Sequence, residues 1–152
     1  MLKRWVRMPG TVLTLTIGLV TTAAIAAQQP KAVGQDGYTT VPLDTIKEQV
    51  AAKKAVLVDV REQREWDQGH LKSAVLLSLS QLSAWERDGL TAAEKAALEK
   101  AVPKGSVVYC HCAAGGRALP GGEALRKLGY EARPLRQGYR DLVQAGFQRA
   151  AP

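Results

Sequence analysis

One passage narrows the possible folds more than any other: Ser106-Val107-Val108-Tyr109-Cys110-His111-Cys112-Ala113-Ala114-Gly115-Gly116-Arg117-Ala118-Leu119-Pro120. Ser106 to Cys110 is an apolar, β-branched run bounded upstream by Pro103 and Gly105, a pattern that predicts a short strand buried on both faces. Pro120 is tolerated in a helix only within the first turn, so a helix over Ala118 to Leu128 has to begin beside Arg117. Cys112 therefore falls in a tight loop at a helix N-terminus, where backbone N–H groups lack intrahelical partners and the dipole favours anions. Gly115 and Gly116 permit positive φ, which lets successive amides turn inward around whatever the sulfur carries. The expected chemistry is a thiolate nucleophile at Cys112 in an anion-binding loop of Ala113, Ala114, Gly115, Gly116 and Arg117.

The remaining segments alternate between strand and helix patterns. A helix is predicted over Leu43 to Lys53, with Leu43, Ile46 and Val50 on one face, and a buried strand over Ala55 to Val60. A short helix follows within Arg61 to His70 and stops at Gly69, and Ala74 to Leu77 forms another strand. Ser78 with Gln81 and Thr91 with Glu94 have the spacing of capping boxes. The first starts a helix carrying Leu82 and Trp85; the second starts one that packs through Ala97, Leu98 and Ala101. Glu131 to Leu135 is a last strand and Tyr139 to Ala145 a closing helix. This order implies an α/β fold: a central parallel sheet with helices on both faces, and ligands at the carboxyl ends of the strands.

The N-terminus differs in kind. Lys3, Arg4 and Arg7 precede a mostly apolar Thr11 to Val20 and the small residues Ala24-Ile25-Ala26-Ala27, the pattern of a secretory signal. Residues 1–27 are expected to be that signal or an uncleaved membrane anchor, 28–38 a linker and 39–150 the folded domain, exported to the periplasm or secreted. The net charge of +7 falls to +4 without the three basic residues of the signal. That is mild, and no basic run is interleaved with aromatics, so nucleic acid is excluded as a partner; a membrane enters only if the segment is retained. The two cysteines, Cys110 and Cys112, are one residue apart on an extended segment, too far for a relaxed bridge, and are expected as free thiols.

Asp59-Val60-Arg61-Glu62 with Glu65-Trp66 and Gly69-His70, then Cys112-Ala-Ala-Gly115-Gly-Arg117, then Leu135-Arg-Gln-Gly138-Tyr with Ala145-Gly146-Phe147, occur in order. From about Tyr38 to Phe147 the chain resembles a rhodanese homology domain, whose signature segments these match. The resemblance implies sulfur transfer without a cofactor or metal. The cysteine takes the outer sulfur of a small anionic donor such as thiosulfate, and the resulting persulfide is discharged to cyanide or a thiol. It also implies that the loop, six residues from Cys112 to Arg117, suits a sulfurtransferase and is one residue short for the related phosphatases. Ala118 stands where the family often has a hydroxyl residue, and Leu142 where it usually has tryptophan.

Asp59 and Arg61 are expected to hold the strand-end loops through hydrogen bonds and an ion pair, and Cys110 to be a buried strand residue. His111 reads as an exposed loop histidine and His70 as a satisfied one after a turn, while Trp66 and Trp85 read as packing residues. Two other functions stay open at this point. One is a metal or redox module of Cys110, His111 and Cys112, joined by His70. The other is a sulfur carrier or partner-binding domain that does not turn over.

Overall fold

Three short, largely apolar runs and one mixed segment become the strands of one parallel sheet: β1 (Ala55–Asp59), β2 (Ala74–Leu76), β3 (Val107–His111) and, mixed in character, β4 (Glu131–Pro134). The computed structural model describes residues 32–151, so the expected signal lies outside the described residues. The helices between and around the strands are α1 (Leu43–Ala51), α2 (Gln63–Asp67), α3 (Leu79–Asp88), α4 (Ala92–Ala101), α5 (Ala118–Lys127) and α6 (Tyr139–Gln144). Among the described residues no helix is long and apolar enough to cross a membrane.

Strand periodicity sorts the core into two layers. Val58, Val108, Cys110 and Cys112 meet Leu82 and Trp85 of α3, Leu98 of α4 and Leu125 of α5 on one face. Leu57 and Tyr109 meet Ile46 of α1, Leu142 of α6 and Phe147 on the other. Both faces are covered, which explains why the central strands read as continuous apolar runs. Leu142 is fully buried, and the leucine at this position serves as core of the second layer. On the first face α5 lies so near the sheet that a Cβ on Gly121 would sit 2.8 Å from Val60 Cγ1.

Sequence expectations for the helices hold in type and, within two residues, in extent. Pro120 stands in the first turn of α5. Thr91 and Glu94 form a reciprocal capping box at α4. Ser78 caps α3 by accepting from the Gln81 amide, without the return bond from the Gln81 side chain. Of the packing residues expected on α4 only Leu98 is buried; Ala97 and Ala101 are exposed, because α4 touches the core along a narrow line.

One correction matters for the site. β3 runs one residue further than expected, because Asp59 pairs with His111 in the parallel register and the Val60 amide donates to the His111 carbonyl at 2.9 Å. His111 is therefore a strand residue with no exposure, not an exposed loop histidine. At the other edge Thr39 donates to the Pro134 carbonyl at 2.7 Å, and a bridge between Val33 and Thr39 lays the start of the described chain against β4.

Candidate active site

The strand order β2-β1-β3-β4 fixes where a site can form. The chain leaves β1 for β2 on one side, and leaves β3 for β4 on the other. The loops after β1 and β3 therefore diverge and open a crevice between them at the carboxyl ends of the strands. Asp59 ends β1 and Cys112 follows β3, so the two segments singled out in the sequence meet there.

The β1 side is held by a buried ion pair. Arg61 Nε lies 3.0 and 2.8 Å from the two Asp59 carboxylate oxygens, and its Nη2 lies 2.7 Å from Oδ2. Asp59 also accepts from the Arg61 amide at 3.0 Å, while Arg61 Nη2 donates to the Gly69 carbonyl at 2.9 Å. Asp59 is wholly buried and Arg61 nearly so, which is tolerable only because the two charges satisfy each other. This closes the segment from Arg61 to Gly69 into a rigid turn carrying α2. His70 completes it by stacking on Trp66 at 3.7 Å between ring centroids, its Nδ1 3.2 Å from the Trp66 carbonyl.

The β3 side is the loop. Gly115 takes φ of +87°, as only glycine does without strain, and a Cβ there would lie 2.2 Å from the Arg136 carbonyl oxygen. A Cβ on Gly138 would lie 2.0 Å from the Ala113 carbonyl oxygen, and the Tyr139 amide donates to the Cys112 carbonyl at 2.8 Å. The segment after β4 thus grips the loop by backbone contact. Ala118 closes the far end by donating to the Gly115 carbonyl at 3.0 Å. Among the described residues the amides of Ala113, Ala114, Gly115, Gly116 and Arg117 donate to no protein acceptor. Cys112 itself is 2% exposed, and its neighbours Ala113, Ala114 and Gly116 face solvent.

Arg117 is anchored instead of free. Its guanidinium donates through Nη1 and Nη2 to the two Glu65 carboxylate oxygens at 2.6 and 2.7 Å. These hydrogen bonds hold the Glu65 carboxyl down at about 2 and raise Arg117 above its ordinary value. The arginine ties the loop to α2, and its charge is matched by Glu65.

The two residues before Cys112 separate by strand alternation. Cys110 is fully buried on the same face as Cys112, its Sγ 3.6 Å from the Ala118 carbonyl, and burial pushes its thiol up to about 12. Both cysteines are free. His111 points to the opposite face, with Nε2 3.8 Å from Asp59 Oδ2 and, among the described residues, no hydrogen-bond partner on that nitrogen. Burial lowers its basicity, against a smaller opposing pull from Asp59. Cys110, His111 and Cys112 therefore do not converge, and among the described residues no cluster of His, Cys, Asp and Glu is arranged to hold a metal ion.

A cavity of about 540 Å³ opens beside the loop, reaching it at Ala113 and lined further by Arg61, Glu65, Tyr139, Arg140 and Arg149. A second, of about 690 Å³, lies at the opposite end of the sheet by Ala55, Ser73 and Ser106, away from the cysteines. Glu65 as partner of Arg117, and Tyr139, Arg140 and Arg149 as cavity walls, were not assigned roles from sequence. For Arg140 a signal existed: a cation in the first turn of a helix opposes the dipole and needs another reason to be there.

No curated protein matches the chain significantly by sequence. Among solved structures, the human single-domain sulfurtransferase TSTD1 is 30% identical and superposes with a TM-score of 0.57 over 69% of this chain and 95% of that one. A rhodanese-related protein from Thermoplasma volcanium is 18% identical, with a TM-score of 0.53 over 74% and 98% of the two chains. The rhodanese-like domain of an Anabaena protein is 16% identical, with a TM-score of 0.55 over 72% and 76%. The last two share the fold, and the human protein supports a function of the sulfurtransferase type. The model of the rhodanese-like domain matches residues 43–145, most of the chain and the whole of the sheet just described, so the chain belongs to the rhodanese-like domain family.

Proposed function

We propose that this protein moves a sulfane sulfur from a small anionic donor such as thiosulfate to a thiol or cyanide, through a persulfide on Cys112. The carrying observation is the row of loop amides, Ala113 to Arg117, that have no acceptor among the described residues while the backbone around them is pinned at Gly115 and Gly138. Unpaired amides fixed in place next to a cysteine are what an anion bound to that sulfur requires.

In the first half-reaction the Cys112 thiolate attacks the outer sulfur of thiosulfate. A new S–S bond forms, the old one breaks, and its electron pair leaves on sulfite. The enzyme retains the transferred atom as an anionic persulfide, and the loop amides stabilise its charge. In the second half-reaction an acceptor thiolate bonds to the outer sulfur, and the electron pair of the broken bond returns to Cys112. No proton has to be moved at the sulfur in either half, which fits a site where His111 faces away and Cys110 is a buried thiol.

Incubation with thiosulfate, followed by intact mass measurement, tests the reading. The wild-type chain is expected to gain one sulfur atom, and the Cys112→Ser variant none. An adduct retained by Cys112→Ser, or none on the wild type with any sulfane donor, would overturn the assignment.

A further inference from the structure

At the end of the sheet opposite the cysteine loop, the cavity of about 690 Å³ has an apolar floor and a cationic rim. The floor comes from the start of β1, the end of α1 and the segment after α6: Ala55 and Phe147 are buried, and Val50 and Val56 half-buried. Ala101, expected to pack from α4 into the core, instead lines this cavity and stays exposed.

Four lysines line the cavity, and among the described residues no carboxylate lines it with them. Lys47 is partly committed, since its Nζ lies 3.1 Å from Asp44 Oδ1 and donates to the Ala145 carbonyl at 2.9 Å. Lys53, Lys72 and Lys100 are exposed, and among the described residues none of them has a carboxylate within salt-bridge distance. They arrive by separate routes: Lys53 just past α1, Lys72 ahead of β2, and Lys100 in the last turn of α4. Like charges gathered around one hollow repel each other, and an anion in it relieves that repulsion.

Lys53 carries the most specific sign. Its amide donates to the Val50 carbonyl at 3.1 Å and the Lys54 amide to the Gln49 carbonyl at 2.9 Å, the paired bonds of a Schellman cap. The capping position takes φ of +56°, where glycine is the usual residue because a Cβ is strained there. Lysine at this position brings a charge to the cavity at a cost in backbone energy.

Shape and charge narrow the occupant. Ala55 and Phe147 are recessed, so a flat membrane surface meets the lysines without reaching the floor. Residues 1–31 contain Lys3, Arg4, Arg7 and Lys31 and no acidic residue, so the rim repels that segment. The volume falls within the range of roughly 300–1,000 Å³ typical of pockets for organic ligands. Lysine suits a ligand with an apolar body and a charged head, because its stem covers the one while its ammonium meets the other.

We propose that this cavity binds a monomeric alkyl carboxylate, its chain on the floor of Val50, Ala55, Val56 and Phe147 and its carboxylate among Lys53, Lys72 and Lys100. Binding is non-covalent and does not involve Cys112.

Calorimetry on the full chain with hexanoate, octanoate and decanoate, each below its micellar concentration, tests the site. A fully buried methylene is worth about fourfold in affinity, so a half-open cavity is expected to give about fourfold for each two carbons added. Octan-1-ol, which has the chain without the charge, is expected to bind about tenfold more weakly than octanoate, and added salt to weaken octanoate alone. Lys72→Gln and Lys100→Gln are each expected to lower octanoate affinity about threefold. Lys53→Gly is expected to lower it by a similar factor while raising Tm, because the substitution removes the charge and the left-handed strain together. A role in stability alone would not separate those two readouts. Octanoate affinity unchanged in all three variants overturns the proposal. Ala101→Trp places a ring in the hollow from an exposed position and is expected to abolish binding; retained affinity overturns the site as well. A chain that binds phosphatidylglycerol vesicles through these lysines and no monomeric carboxylate refutes the proposal in favour of a membrane contact. Cys112→Ser is expected to bind octanoate like the wild type, so loss of sulfur uptake and loss of this site are read separately.

Discussion

Gly138→Ala isolates the contact on which the loop's position depends. Gly138 has φ −83° and ψ 175°, an extended conformation open to any residue, so alanine adds no backbone strain. By restricting the unfolded chain it would on its own stabilise by about 0.4–1 kcal/mol. Against this, the added Cβ would stand 2.0 Å from the Ala113 carbonyl oxygen, 2.6 Å from its carbon and 2.9 Å from the Ala114 Cα. Carbon and oxygen approach no closer than about 3.3 Å, so the loop and the segment after β4 have to part by about 1.3 Å. Both neighbours are backbone and cannot swing aside as a side chain would. Overpacking of this kind costs about 1–3 kcal/mol, leaving a net destabilisation of about 1–2 kcal/mol and a fall in Tm of about 3–8 °C. Because Ala113 adjoins Cys112, the same displacement moves the sulfur, and a shift of about 1 Å is expected to slow persulfide formation by about 100-fold. Thermal unfolding by circular dichroism and the rate of sulfur uptake by quenched-flow mass measurement read the two effects. Gly116→Ala is the control for stability, since a Cβ there meets nothing within 4 Å; its unfolding free energy is expected within about 0.5 kcal/mol of wild type. Gly138→Ala that melts and reacts like wild type would refute the claim that backbone contact fixes the loop.

Two further outcomes concern pH. Glu65 is held at about 2 in the folded chain against 4.5 for a free carboxyl, so its pairing with Arg117 contributes stability that is present above about pH 4.5 and is lost as the pH falls toward 2. Both partners are about a third exposed, which limits the contribution to about 1 kcal/mol; Glu65→Gln is expected to remove it at pH 7 and to flatten the acid limb of the urea midpoint, and an unchanged limb rejects the pairing. His111 is held below its ordinary 6.5 by burial, so the unfolded chain binds a proton that the folded chain refuses, and stability falls as the pH drops below 6.5. His111→Leu is expected to reduce that slope between pH 7 and 5, and a slope equal to wild type would show that the histidine charges without cost.

Local constraints explain what could be read from the sequence. Pro120 fixed the start of α5, and the β-branched run fixed β3, because each depends on residues within a few positions. The one-residue extension of β3 through His111 was not legible, since it comes from the neighbouring strand, through the Asp59 register and the Val60 amide. That single residue decides whether the histidine is wet or buried. The partner of Arg117 was hidden for the same reason: Glu65 lies on another element, and nothing local distinguishes it from Glu62, whose carboxylate bonds Ser80. Arg149 reaches the cavity only through its bridge to Leu71.

These long-range contacts also explain why the signature segments occur together. The Asp59 and Arg61 pair makes the turn after β1 rigid, the turn carries Glu65 on α2, and Glu65 clamps Arg117 at the end of the cysteine loop. From the other side, Gly138 and the Tyr139 amide hold the beginning of that loop at Ala113 and Cys112. Each grip is placed by a different strand end, β1 for one and β4 for the other, with β3 between them. A loop clamped at both ends can keep its amides unpaired, because the usual alternative, relaxing toward a nearby carbonyl, would break one clamp or the other. The three segments are therefore one device: the sheet order brings the clamps together, and the clamps hold the loop backbone that the proposed anion site beside Cys112 requires.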